Sequence, residues 1–168
     1  MNICIVGAGA IGGYLAVMLR KSGFQVSIVA RGSHLQAIKN NGLKLITSEN
    51  EHCVQLEASE TVPDQPQDYA FITVKTTGLQ PLSTQIKKLA KNGATIIPAM
   101  NGIPHWYFFK IRNRWENTYL QCLDPQKVYE KAMPFKSIIG TIIYPACEIA
   151  KPGVIKHISG NRFSLGEP

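Results

Sequence analysis

The chain has 168 residues, of which 45% are hydrophobic and 17% charged, a balance that excludes a disordered or fibrous protein and allows one domain, with or without an appendage. Its net charge of +7 suits an anionic ligand, but the basic residues are scattered along the chain, which argues against a nucleic-acid partner. Four cysteines without a CxxC pair or metal-ligand spacing point to reduced thiols in a cytoplasmic protein, and neither a signal peptide nor a membrane-length apolar segment is expected.

Met1 to Val6 is an apolar, β-type run that reads as a buried strand, and Tyr14 to Leu19 has the pattern of a helix. Between them lies Gly7-Ala8-Gly9-Ala10-Ile11-Gly12, a GxGxxG turn in the strand-to-helix context that binds a dinucleotide. Gly7 permits the tight turn, Gly9 lets the backbone close on a pyrophosphate, and Gly12 lets helix and strand pack closely. The phosphates then meet free N–H groups at a helix start, where the peptide dipoles favour an anion.

Gln25 to Val29 supplies the next strand. An NAD site places an acid at its end, roughly 20 residues past the glycines, for the ribose 2′-hydroxyl. Ala30-Arg31-Gly32-Ser33 stands there instead. No carboxylate repels a 2′-phosphate, and Arg31 offers a planar cationic fork that matches one, so NADP(H) is expected over NAD. Ser33 is the expected N-cap of a helix over 34–40 that ends at Asn41-Gly42, with His34 at the surface near the adenosine end. Residues 43–47 and 53–56 flank the polar stretch 48–51 and suggest a hairpin or an excursion from the main sheet.

Tyr69 to Val74 reads as a buried strand ending at Lys75. A helix with Leu82, Ile86 and Leu89 on its apolar face follows and closes at Asn92-Gly93, with Lys87, Lys88 and Lys91 on its solvated face. The next strand, 94–98, carries Asn101 just past its end. In an open parallel sheet the carboxyl ends of the strands line the ligand crevice, so Lys75 and Asn101 are both placed to face it. The aromatic and basic run from Trp106 to Trp115 reads as packing surface. Asp124-Pro125 is the expected start of a short helix through Val128 and Ala132, with proline at its first position. Residues 137–144, 147–150, 154–158 and 161–165 read as strands, with a type II turn at Lys151-Pro152-Gly153. His105 and His157 have no partner at nucleophile or metal spacing and are taken as structural or surface residues.

Together these elements predict an α/β fold for residues 1–168, a Rossmann-type, doubly wound, mostly parallel sheet with additional antiparallel strands near the C-terminus. The glycine turn GAGAIGG, Val-Lys-Thr at 74–76, Asn-Gly at 101–102 and GNRFSLGEP at 160–168 resemble the N-terminal, NADP-binding domain of the ketopantoate reductase family. The resemblance implies NADPH-dependent reduction of 2-dehydropantoate to pantoate, on the route to pantothenate and coenzyme A. It also implies that Lys75 and Asn101 lie at the nicotinamide and substrate end of the cleft and that Arg31 holds the 2′-phosphate.

Family members continue into a helical C-terminal domain with a catalytic lysine and a substrate-orienting carboxylate, and no position here matches either. A reduction needs a proton donor as well as a hydride, so the 168-residue chain is expected to bind NADPH but turn over a 2-oxo acid poorly. The surface facing a further domain, or a second copy of the chain, is expected to be apolar. A reductase of another 2-oxo acid, or a non-catalytic NADP-binding subunit, are the alternatives.

Overall fold

The computed structural model describes residues 1–124 and 126–168. In chain order its elements are β1 (Asn2–Val6), α1 (Ala10–Lys21), β2 (Gln25–Val29), α2 (Gly32–Asn41), β3 (Leu43–Ile46), β4 (Glu51–Val54), β5 (Glu57–Ser59) and β6 (Tyr69–Ile72). Then follow α3 (Ser83–Lys91), β7 (Thr95–Pro98), α4 (Val128–Ala132), β8 (Gly140–Ile143), β9 (Ala146–Lys151), β10 (Val154–Ser159) and β11 (Phe163–Gly166).

Five strands form the central sheet in the order β5-β2-β1-β6-β7, and every pairing in it is parallel. Parallel strands covered on both faces are apolar on both, and β1 shows it. Ile3 and Ile5 point into one core, with Leu15, Val17, Val26 and Ile28. Cys4 and Val6 point into the other, with Ile72, Ile86, Leu89 and Ile96. The period of two along a strand thus feeds two cores from one stretch of sequence. Each fully buried aliphatic side chain contributes about 1.5–3 kcal/mol, which fixes the register of β1 against both neighbours.

A second sheet, β4-β3-β10-β9, lies over the outer side of α1. Leu43, Leu45 and Ile155 from this sheet share the core of Tyr14 and Leu15, so α1 is enclosed between two sheets. A two-stranded ribbon, β11-β8, continues beyond β7 and joins it through a parallel bridge between Ile96 and Ile138. The doubly wound parallel sheet and the antiparallel C-terminal strands are both present.

Several boundaries differ from the sequence expectation, each for a local reason. Helix α2 begins at Gly32 with Arg31 as its N-cap, not Ser33, because Gly32 adopts a φ of +58° that turns the chain two residues earlier. Strand β6 stops at Ile72, and Thr73 just past it donates its amide to the Val6 carbonyl at 3.0 Å and turns its hydroxyl to the end of β1. Strand β4 starts at Glu51 because the Thr47 hydroxyl accepts from the Glu49 and Asn50 amides and tightens the hairpin turn. Strand β5, polar and only three residues long, has no sequence pattern and adds to the edge of β2. The start of α4 falls at Val128, after a left-handed Lys127; the expected proline at its first position, Pro125, lies outside the described residues. Asp124 still caps the helix, accepting from the Val128, Tyr129 and Glu130 amides at 2.6, 2.9 and 3.1 Å.

Candidate functional site at the carboxyl edge of the sheet

The glycine turn connects β1 to α1 at the carboxyl edge of the central sheet. Gly7 adopts a φ of +111°, donates to the Val29 carbonyl at 3.1 Å, and would bring a Cβ to 2.6 Å from Val74. Gly12 is pressed on the turn itself, where a Cβ would collide with the Gly7 carbonyl and the Thr73 hydroxyl. At Gly9 the reverse holds, since a Cβ there would meet nothing within 4 Å. Gly9 is also the N-cap of α1, with no side chain capping the helix and no acid in its first turn. The first N–H groups of α1 therefore lie beside open space at an uncapped helix start, where the peptide dipoles favour a phosphate.

Arg31 stands beside this turn, at the end of β2 and the head of α2, exposed and with no ion pair among the described residues. Lys75 follows β6, where its carbonyl accepts from Gly78 at 2.7 Å and its side chain is exposed. Asn101 follows β7. The strand order sets these groups out along one edge as Arg31, the glycine turn, Lys75 and Asn101. The Asn101 amide is already engaged: it donates to the Ile143 carbonyl at 2.8 Å and accepts from the Ile143 amide at 3.0 Å. It acts as a peptide surrogate that ties the end of β7 to β8.

Asn101 and Thr76 also line a cavity of about 450 Å³, whose walls include Leu79, Met100, Trp106, Met133 and Leu165. Lys75 is not part of its lining. His105 is, stacked on Phe135 at 5.8 Å and edge-on to Trp106 at 4.8 Å. Burial holds its imidazole below the usual histidine range, against the pull of Asp124 and the Met133 backbone. Its structural role stands. Trp106, Phe109 and Phe135 pack on one another or on the adjoining core, as expected for the aromatic run, although Tyr107 and Trp115 are exposed. His157 stacks on Tyr14 at 5.1 Å and is likewise structural.

Two contributors escaped the sequence. The Thr73 hydroxyl donates to the Gly7 carbonyl at 2.5 Å, with the Val6 carbonyl at 3.2 Å, and so fixes the floor of the turn. Its only sequence signal is a hydroxyl among apolar neighbours at the end of a strand. His34, expected at the surface, is half-buried, and its Nδ1 accepts from the Gly153 amide at 3.1 Å. Among the described residues no group of three or more histidine, cysteine or acidic side chains is placed to hold a metal. No described helix is long and apolar enough to cross a membrane.

The family model for ketopantoate reductase PanE/ApbA matches residues 3–168. The chain belongs to this family. It is 41% identical, over its full length, to a 2-dehydropantoate 2-reductase of Mesorhizobium japonicum, and 33% identical over 61% of its length to one of Archaeoglobus fulgidus. A solved structure assigned as a ketopantoate reductase, from Ralstonia solanacearum MolK2, superposes on 98% of this chain with a TM-score of 0.90 and 35% identity. The fold alone is shared with a D-mandelate dehydrogenase solved with NADH and anilino(oxo)acetate, at a TM-score of 0.75 and 24% identity. The chain spans about half the length of its ketopantoate reductase relatives: 52% of the Mesorhizobium protein and 51% of the Ralstonia chain.

Proposed function

We propose that this chain is the NADPH-binding half of a 2-dehydropantoate 2-reductase. The observation that carries the proposal is the open space at Gly9, set against an uncapped helix N-terminus, with Arg31 exposed and without an ion pair among the described residues at the next strand end. The residues present fit a dinucleotide. The turn from Gly7 through Ala8, Gly9, Ala10 and Ile11 to Gly12 holds the pyrophosphate through backbone N–H groups, and Arg31 holds the 2′-phosphate through a charge-assisted fork. When bound, the nicotinamide supplies the hydride.

Lys75 and Asn101 position the reacting groups at the far end of the edge. Lys75 does so with an exposed ammonium. Asn101 does so through its backbone and through the loop that its amide locks to Ile143. The general acid comes from the half of the relatives that this chain does not span. That second domain, or another copy of the chain, covers the apolar rim of the cavity, where Ile103, Ile142 and Leu165 are 61%, 54% and 61% exposed. The four free thiols suit a cytoplasmic setting, and the partner is a small 2-oxo acid rather than nucleic acid or membrane.

Calorimetric titration with NADPH and NADH tests the cofactor assignment. Charge-assisted hydrogen bonds contribute about 1.5–3 kcal/mol, so NADPH should bind roughly ten- to a hundredfold more tightly, and Arg31→Ala should abolish the difference. Equal affinities in the unaltered chain would sink it. A second reading, reduction of a bulkier apolar 2-oxo acid, is favoured by the size and apolar walls of the 450 Å³ cavity. Comparing kcat/KM for 2-dehydropantoate and an aryl 2-oxo acid, in the chain joined to a relative's second half, separates the two.

A further inference from the structure

Lys75 leaves β6 on a turn too short to hold itself. Its backbone is extended, with φ −64° and ψ 156°, and Thr76–Gly78 after it form a single 3-10 turn. Two bonds close that turn, from the Gly78 amide to the Lys75 carbonyl at 2.7 Å and from the Leu79 amide to the Thr76 carbonyl at 3.1 Å. So short a turn opens readily unless something outside it adds support. The Lys75 side chain adds none, being exposed and without an ion pair among the described residues. Where its ammonium goes is therefore set by the backbone that carries it.

Support arrives from α4. The Tyr129 hydroxyl donates to the Thr76 carbonyl at 3.2 Å, across 53 residues of sequence, and takes the lone pair that the Leu79 amide leaves free. The ring behind that hydroxyl is itself fixed. It packs against the core of Ile72 and Leu79, and its helix is capped by the buried carboxylate of Asp124 through three amides. A tyrosine has only two side-chain torsions, so a ring held by packing aims its hydroxyl at little entropic cost. The Thr76 hydroxyl in turn reaches the Met100 sulfur at 3.9 Å, next to Asn101. We propose that Tyr129 is a positioning residue for Lys75: its bond to the Thr76 carbonyl fixes the turn after β6 and thereby aims the Lys75 ammonium at the nicotinamide end of the carboxyl edge. The proposal rests on the dinucleotide reading of that edge. Tyr129 and Thr76 line the cavity and Lys75 does not, so the bond ties the cavity wall to a cation that stands outside it.

Tyr129→Phe keeps the ring and removes only the donor. By calorimetry it should weaken NADPH binding about three- to tenfold, and leave unchanged the affinity for adenosine 2′,5′-bisphosphate, a fragment that reaches only the Arg31 end. In a Lys75→Ala background the same substitution should cost nothing further, since no ammonium is left to aim. Hydrogen exchange of the Gly78 amide, measured without ligand, should quicken in Tyr129→Phe by a similar factor. Tyr119→Phe is the comparison, because it removes a hydroxyl that accepts from the Lys127 amide at 3.0 Å just before α4 and leaves Thr76 alone. Both NADPH binding and Gly78 exchange should be unchanged in it.

Where Lys75→Ala itself weakens NADPH binding, four results overturn the proposal: unchanged affinity in Tyr129→Phe, an equal loss in the Lys75→Ala background, an equal loss for the adenosine fragment, or an equal effect of Tyr119→Phe. If the unaltered chain binds no NADPH, or Lys75→Ala binds it undiminished, the functional reading of the edge fails by itself. The Gly78 amide then decides for Tyr129: faster exchange in Tyr129→Phe alone upholds its hold on the turn, and unchanged exchange, or equal quickening in Tyr119→Phe, overturns it.

Discussion

Glycines that look alike in the sequence differ once their neighbours are known. Gly9→Val places its side chain in open space, so the fold should survive while the pyrophosphate is shut out. Gly12→Val drives a branched side chain into the Gly7 carbonyl and Thr73, so that variant should fail to fold. Far-UV circular dichroism and a dinucleotide titration on both check this; a folded Gly12→Val or a binding-competent Gly9→Val would contradict it. Cys4 gives a prediction in pH. Burial raises its thiol from about 9 to about 11. The folded chain keeps a proton that the unfolded chain releases, so this contribution is full below pH 9 and falls between pH 9 and 11 by at most about 1.4 kcal/mol per pH unit. Urea midpoints across that window should drop, and Cys4→Ala should flatten the decline; an unchanged slope would count against it. The places of Arg31, Lys75 and the glycines along the carboxyl edge were legible because they follow from position along a strand-turn-helix unit. The commitment of Asn101 to Ile143 and of His34 to Gly153 was not, because both join segments that no local pattern relates.

At the level of elements, legibility follows apolar periodicity. Strands β1, β2, β6 and β7 and helices α1 and α3 carry it and were found within a few residues. Strand β5 does not, because its side chains are polar and only its backbone pairing with β2 makes it a strand. Helix α4 is a different case, five residues long and too short to persist on propensity alone. It is held by Asp124, only 1% exposed, whose carboxylate accepts from three of its amides. Asp124→Ala leaves those donors without a partner and should cost about 2–3 kcal/mol, lowering the melting temperature by roughly 4–12 °C. Because Tyr129 and Met133 follow from this helix into the cavity wall, the same variant should disorder that wall. Heteronuclear NMR of residues 128–133 would show it. A melting temperature within a degree of the unaltered chain would mean the cap is dispensable.

For the whole molecule, the central sheet is a local construction and the second sheet is not. All five strands of the central sheet lie within residues 2–98, whereas in the second sheet β10 returns from the far end to run parallel beside β3. Its Ile155 is fully buried and meets α1 at Gly13, where a Cβ would lie 2.5 Å from it. A chain ending after Ser137 should therefore keep its helical signal, expose the outer face of α1, and bind a hydrophobic dye such as ANS while losing fixed side-chain signals. A well-dispersed NMR spectrum from that truncation would refute the dependence. The pairing also bears on biosynthesis. On the ribosome the chain emerges from Met1 onward, and the dinucleotide turn and its helix leave the tunnel long before the strand that covers them. Until residue 155 is made, one side of α1 is wet and adhesive, and folding of this half waits on a late segment rather than proceeding as the elements appear. During that interval the nascent chain is a natural client for a chaperone, and synthesis that pauses between β7 and β10 prolongs the exposure.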